Sequence, residues 1–123
     1  MGDEVPYHGS MAYDEALATR IRELIAGRPH LTEKKMFGGL AFLIGGNMSV
    51  SASGQGGLLV RVGPDQSDAL VAAGEAEMAF MGGRTMRGWL RIASERVQTK
   101  DQLARWVDRG ATYAQSLPRK RGS

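Results

Sequence analysis

The chain contains no cysteine. Disulfides, thiolate catalysis and cysteine-ligated zinc are excluded at the outset. Histidine is nearly as scarce: His8 stands in the opening decapeptide and His30 between Pro29 and Leu31, so no imidazole metal cluster can be assembled. No apolar run approaches the roughly 20 residues that a membrane span needs. A charged n-region followed by an apolar stretch, the mark of a secretory signal, is not visible. The expected location is the cytoplasm, with no membrane partner. Gly-x-x-x-x-Gly-Lys-Ser/Thr and Gly-x-Ser-x-Gly motifs are missing as well, which removes the P-loop and the nucleophile elbow. The carboxylates Asp65, Asp68, Glu75 and Glu77 suit helix starts and turns better than a general acid/base pair. No catalytic residue, no metal ligand and no cofactor is therefore expected, and residue chemistry points away from an enzyme.

What is present describes an ordinary globular domain. The chain has 123 residues, 42% of them hydrophobic and 24% charged, enough to bury roughly two-thirds of the unfolded surface around one core. The formal net charge is +3. The first ten residues, MGDEVPYHGS, hold two acids and no Lys or Arg, which leaves 16 basic against 11 acidic side chains, or +5, over residues 11–123. That excess is a mild attraction for an acidic partner. Residues 1–10 read as a tag or disordered extension, 11–118 as a single domain and 119–123 as a basic disordered tail.

The segment from Lys34 to Met48, KKMFGGLAFLIGGNM, organises the rest. It is an aliphatic run bracketed by two Gly-Gly pairs. Before it, Tyr13–Ala26 carries Leu17, Ile21, Leu24 and Ile25 at helical spacing, and Gly27 with Pro29 ends that helix. From Thr32 the period changes to two. Thr32–Phe37, Leu40–Ile44, Met48–Ser53 and Leu58–Val62 read as four short strands joined by glycine-rich turns. Each glycine cluster is followed by another strand, whereas a phosphate-cradling loop leads into a helix. The glycines are hairpin punctuation. A short helix over Asp65–Ala73 follows, then a hairpin of Met78–Met81 and Thr85–Ala93. Thr99-Lys100-Asp101-Gln102 is a capping box that opens a last helix, its stripe formed by Leu103, Trp106, Val107, Ala114 and Leu117. The predicted order is α-β-β-β-β-α-β-β-α. It describes an α+β, two-layer fold in which helices cover one face of an antiparallel sheet of about five to six strands.

Strand alternation assigns Leu40, Phe42, Ile44, Met48, Val50, Ala52, Leu58, Val60, Val62, Met86, Leu90 and Ile92 to the helix-facing core. The methionines, Met36, Met48, Met78, Met81 and Met86 among them, read as core filling rather than as soft-metal ligands. The opposite face then carries Ser49, Ser51, Leu59, Arg61, Arg87, Trp89 and Arg91. Arg61, Arg87, Trp89 and Arg91 make a candidate interaction face, since arginine pairs with phosphate or carboxylate and a ring stacks on a base or anchors a protein. The same surface has a plain structural reading, a solvated face with arginine stems covering Trp89. Lys34 and Lys35 read as edge-strand charge.

Three ordered blocks carry a resemblance. Lys34–Met48, then LLVRVGP (Leu58–Pro64) and MAFMGGRTMRGWLRI (Met78–Ile92), in their helical context, resemble the N-terminal domain of the TfoX/Sxy competence-regulator family over nearly all of residues 11–118. The matching positions include Lys35, Met36, Phe37, Gly38, Gly39, Gly63 and Gly88, together with Arg61 and Trp89. The resemblance implies a secretion-chaperone-like two-layer fold and a bacterial cytoplasmic protein. Its named members are regulators of DNA-uptake competence that act with transcription machinery rather than as enzymes. The chain departs from them by ending after the N-terminal domain, as a single-domain member would, and the family carries over no catalytic residue. Three functions follow in order: a non-enzymatic regulatory or protein-interaction module, with transcription machinery or a second copy as partner; a direct nucleic-acid-binding domain; and a small-ligand binder or enzyme.

Overall fold

The computed structural model describes residues 13–36 and 38–120. The expectations for residues 1–10, for Phe37 and for the chain from Arg121 onward lie outside the described residues.

The first helix, α1, spans Glu15–Ile25. The Asp14 carboxylate caps it by accepting from Leu17 N at 3.0 Å, and Leu17, Ile21 and Ile25 form its buried face. Four strands follow: β1 (Leu31–Met36), β2 (Gly39–Ile44), β3 (Asn47–Ala52) and β4 (Leu58–Arg61). Helix α2 (Pro64–Ala72) precedes β5 (Glu77–Met81) and β6 (Arg84–Ile92), and α3 (Lys100–Ser116) closes the fold after a short 3-10 turn, Ser94–Arg96. The predicted capping box forms, with Thr99 Oγ accepting from Gln102 N at 3.1 Å and Gln102 Oε1 accepting from Thr99 N at 3.0 Å. The two-residue Gly45-Gly46 turn has positive φ at both positions, 60° and 83°, as a tight hairpin between twisted strands requires.

Among the described residues the six strands form one antiparallel sheet in the order β1-β2-β3-β4-β6-β5. The meander β1 to β4 follows from connections too short for a parallel crossover. Helix α2 then carries the chain past one strand position, so β6 returns beside β4 and β5 becomes an edge. Leu90 and Ile92 of β6 are fully buried beside Val60 and Leu58, whereas β5 buries only Ala79. The longer strand, which brings two fully buried aliphatic side chains to the core, takes the interior position.

All three helices pack on one face. Leu17, Ile21 and Ile25 of α1, Leu70 of α2 and Leu103, Trp106, Val107, Ala111 and Ala114 of α3 share a single core with Leu40, Phe42, Ile44, Val50, Ala52, Leu58, Val60, Val62, Leu90 and Ile92 of the sheet. Each large side chain buried there contributes on the order of 1.5–3 kcal/mol. Helix α3 crosses β3 at very close range. A Cβ on Gly110 would stand 2.5 Å from the Ser49 carbonyl oxygen and 2.8 Å from Val50 Cγ1.

Two residues depart from the expected core. Phe42 pairs with Val50 but Leu43 pairs with Met48, so Ser49 is an extra residue in β3. Such a bulge reverses the alternation beyond it. Met48 therefore joins the helix-free face, and Ser49, expected there, is fully buried with its hydroxyl donating to Phe42 O at 2.7 Å. A second irregularity opens in β6, where Leu90 pairs with Met78 and Met86 with Ala79. Met86 is half-buried opposite Ala79 and belongs to neither apolar cluster.

Candidate interaction groove

The face opposite the helices is not simply polar. Ala41, Met48, Leu59 and Ala79 are buried there, and Met36, Leu43, Met81 and Trp89 pack against them. Three of the five methionines read as core filling thus belong to this smaller cluster. Met48 arrives through the Ser49 bulge. Met36 lies at the end of β1, opposite Gly39. Unbranched thioethers cover such a surface without demanding one fixed shape.

Part of this cluster is the floor of a groove of about 790 Å³. Leu43, Met48 and Met36 lie along it, with Arg61 and Trp89 at the far wall. Its outer wall is β1, from Leu31 to Lys34. One end is closed by the Gly45-Gly46 turn and by Arg119 and Lys120. The sequence reading placed those two basic residues in the tail; in the structure Lys120 N donates to Gly45 O at 2.8 Å and Asn47 Nδ2 donates to Pro118 O at 3.0 Å. His30, the one described non-glycine residue with positive φ (57°), lines the groove beside that turn, its carbonyl accepting from Gly45 N at 3.0 Å.

Electrostatics distinguish this groove. Lys34, Arg61, Arg119 and Lys120 line it, and among the described residues none forms an ion pair. Its carboxylate, Glu33, is already engaged: Arg22 of α1 donates Nε to Oε2 at 2.6 Å and Nη2 to Oε1 at 2.9 Å. That bidentate hydrogen bond, helped by the opposite charge, holds the Glu33 carboxyl below the usual carboxylate range. Arg61 is fixed by rings instead of acids. Its guanidinium carbon lies 5.2 Å from the Trp89 ring centre and 5.7 Å from that of Tyr113 in α3, within cation–π range.

The four residues of the expected face are distributed unevenly. Arg61 and Trp89 pair across β4 and β6 and meet in the groove. Arg91 lies further along β6, opposite Leu59, and donates Nη1 to Gln55 Oε1. Arg87 turns toward α2. Its Nε and Nη2 donate to the Asp68 carboxylate, Nη2 to Oδ2 at 2.8 Å, and Nη2 reaches Asp65 Oδ1 at 3.2 Å. Arg87 holds Asp68 below its ordinary pKa, chiefly by hydrogen bonding. The neighbouring Gly88 explains the turn: at φ 90° it adopts a conformation that glycine tolerates best. Its N–H donates to the buried Ser67 Oγ at 3.0 Å, Ser67 Oγ donates to Pro64 O at 2.7 Å, and Gly88 O accepts from Val62 N at 2.9 Å.

Among the other signature positions, Gly38 lies in the β1–β2 turn, Gly39 begins β2 against Ala52 O, and Gly63 is the N-cap of α2 beside the Tyr113 ring. Lys35 faces its β2 neighbour Leu40 and is exposed. Sequence reasoning missed Leu43, Met48, Tyr113, Arg119 and Lys120 as groove or near-groove residues. Only the sequence-adjacent basic pair carried any signal. A smaller pocket of about 200 Å³ lies elsewhere, between Glu75, Arg96, Gln102, Arg105, Trp106 and Arg109. Arg109 stacks over Trp106 at 4.5 Å and is opposed by Glu75 at 3.7 Å. Among the described residues no three His, Asp or Glu side chains converge on a metal site, and no helix is long and apolar enough to cross a membrane.

Residues 23–114 match the family model of the TfoX N-terminal domain, 92 of the 123 residues. No match to this chain was found among curated proteins.

Proposed function

The chain belongs to the TfoX N-terminal domain family, and on that premise we propose that it is a non-enzymatic regulatory module that works by binding another protein in the helix-free groove. One observation carries the reading: cations without described acid partners stand over an apolar floor on the sheet face that the helices leave open. Solvated faces do not ordinarily bury Met48, Ala41 and Leu59 on the side away from the core. An apolar centre inside a charged rim is the anatomy of a protein-binding patch. Leu43, Met48 and Met36 form its apolar centre, and Arg61 against Trp89 stands at its wall with Lys34, Arg119 and Lys120 around it. Transcription machinery is the partner class that the family resemblance suggests.

Direct nucleic-acid binding is the second reading, and the basic rim favours it. Against it stands the arrangement of the rings, since the Arg61 guanidinium already lies over one face of Trp89 and one of Tyr113, where a base would stack.

Co-purification tests the proposal. Tagged wild-type protein, Arg61→Glu and Trp89→Ala are compared in cells, with each variant's thermal melt confirming that it folds. A partner recovered by the wild type and lost from both variants is the expected result. Equal recovery by all three would remove the groove as the working surface.

A further inference from the structure

Charge and shape together narrow what the groove can hold. Its cations lie apart: Lys34 on β1, Arg61 at the end of β4, and Arg119 and Lys120 beside the Gly45-Gly46 turn. A ligand with one anionic group satisfies one of them. A ligand that satisfies all must carry several negative charges around a less polar middle, because Leu43 and Met48 occupy the floor between them.

A second copy of the chain is a poor match. Residues 11–123 carry a formal +5, and two β1 edges brought together would oppose their Lys34-Lys35 pairs, the arrangement by which natural edge strands repel one another. Nucleic acid supplies the charge but stacks on free rings or is read by polar groups, and the groove presents one ring, Trp89, with Arg61 already over it, beside an apolar floor.

We propose that the groove takes an extended, acidic segment of a partner protein, lying along β1, with one large apolar or aromatic side chain set among its carboxylates. This rests on the reading of the chain as a protein-interaction module. The apolar side chain seats on Leu43, Met48 and Met36. The carboxylates face Lys34, Arg61, Arg119 and Lys120, and Arg61 is held by Trp89 and Tyr113 in a fixed place to receive one. Glu33 does not oppose the segment, because Arg22 already neutralises it.

The test uses the full chain and four fluorescent probes at low ionic strength, read by polarisation. They are a short acetylated peptide of alternating Asp and Glu with a central Phe, the same peptide with Ala in place of Phe, a Lys/Ser peptide with the central Phe, and oligothymidylate. The acidic Phe peptide should bind, weaken with added salt, and bind roughly tenfold more tightly than the Ala peptide, the scale expected for burying one large side chain. Arg61→Glu, and separately Arg119→Glu with Lys120→Glu, should each weaken it by about tenfold or more. Arg96→Glu with Arg105→Glu, in the smaller pocket, should leave it unchanged. Equal binding of the Phe and Ala peptides, tighter binding of oligothymidylate, or no binding by the wild type would each overturn the proposal. If the peptides fail while an Arg61-dependent partner is still recovered from cells, this inference falls and the interaction reading stands. If no such partner is recovered either, both fall.

Discussion

Replacing Gly110 by alanine sets two effects of opposite sign against each other. Gly110 lies inside α3, where alanine is intrinsically better than glycine by about 0.8–1 kcal/mol. The added methyl, however, would stand 2.5 Å from Ser49 O, about 0.9 Å short of an ordinary 3.4 Å contact. The neighbour it meets is strand backbone, held by the β3 ladder and by the Ser49 hydroxyl bonded to Phe42 O, so it cannot swing aside as a side chain would. Either α3 lifts from the sheet along Trp106, Val107, Ala111 and Ala114, or β3 is displaced under it. Overpacking of this kind costs about 1–3 kcal/mol. The expected net result is destabilisation by up to about 2 kcal/mol after the propensity gain is subtracted. Urea unfolding followed by far-UV circular dichroism measures it, provided the slope with denaturant is unchanged. If Gly110→Ala is instead more stable than wild type by about the propensity difference, the close seating of α3 on β3 is refuted.

Two further predictions test the parts around the groove. Ser67→Ala removes the hydroxyl that accepts from Gly88 N and donates to Pro64 O; leaving the buried Gly88 N–H unpaired should cost about 1–3 kcal/mol in the same unfolding assay, and a loss indistinguishable from zero would contradict the latch. Acid should also weaken the fold through Glu33 and Asp68. Both carboxyls lie below their usual pKa because arginine hydrogen-bonds their charged forms, so their contribution is complete above the ordinary carboxylate range, about pH 4, and is lost as pH falls through the depressed values. The pairs are largely exposed and the effect is correspondingly small. Glu33→Gln with Asp68→Asn should flatten the acid limb of stability against pH, and an unaltered limb would show that these pairs carry none of it.

The architecture was legible because local signals agreed with the final packing. Thr99 and Gln102 form the capping box that their spacing predicts, and the Gly45-Gly46 turn joins the strands it separates. Strand bounds moved by a residue or two, and β6 took its place beside β4 through a long-range choice that no local pattern encodes. The groove was only half legible. Arg61 and Trp89 were placed together by simple alternation. Met48 was assigned to the wrong face because alternation counts residues, and the Ser49 bulge adds one to β3 without any sequence mark of its own. Arg87 was grouped with Trp89 for a related reason: Gly88, with its positive φ, turns the strand so that Arg87 meets Asp65 and Asp68. Tyr113, Arg119 and Lys120 reach the site by tertiary packing across α3 and the β2–β3 turn, which sequence spacing does not express.

On the proposed reading a partner docks in the helix-free groove and not on the helical layer. Hydrogen–deuterium exchange of the protein alone and in complex with its recovered partner tests this most directly. Slowed exchange should appear in β1, in the Gly45-Gly46 turn and around Arg61 and Trp89, with α1 and the outer surface of α3 unchanged. Protection confined to the helices, or to the β5 edge, would contradict it.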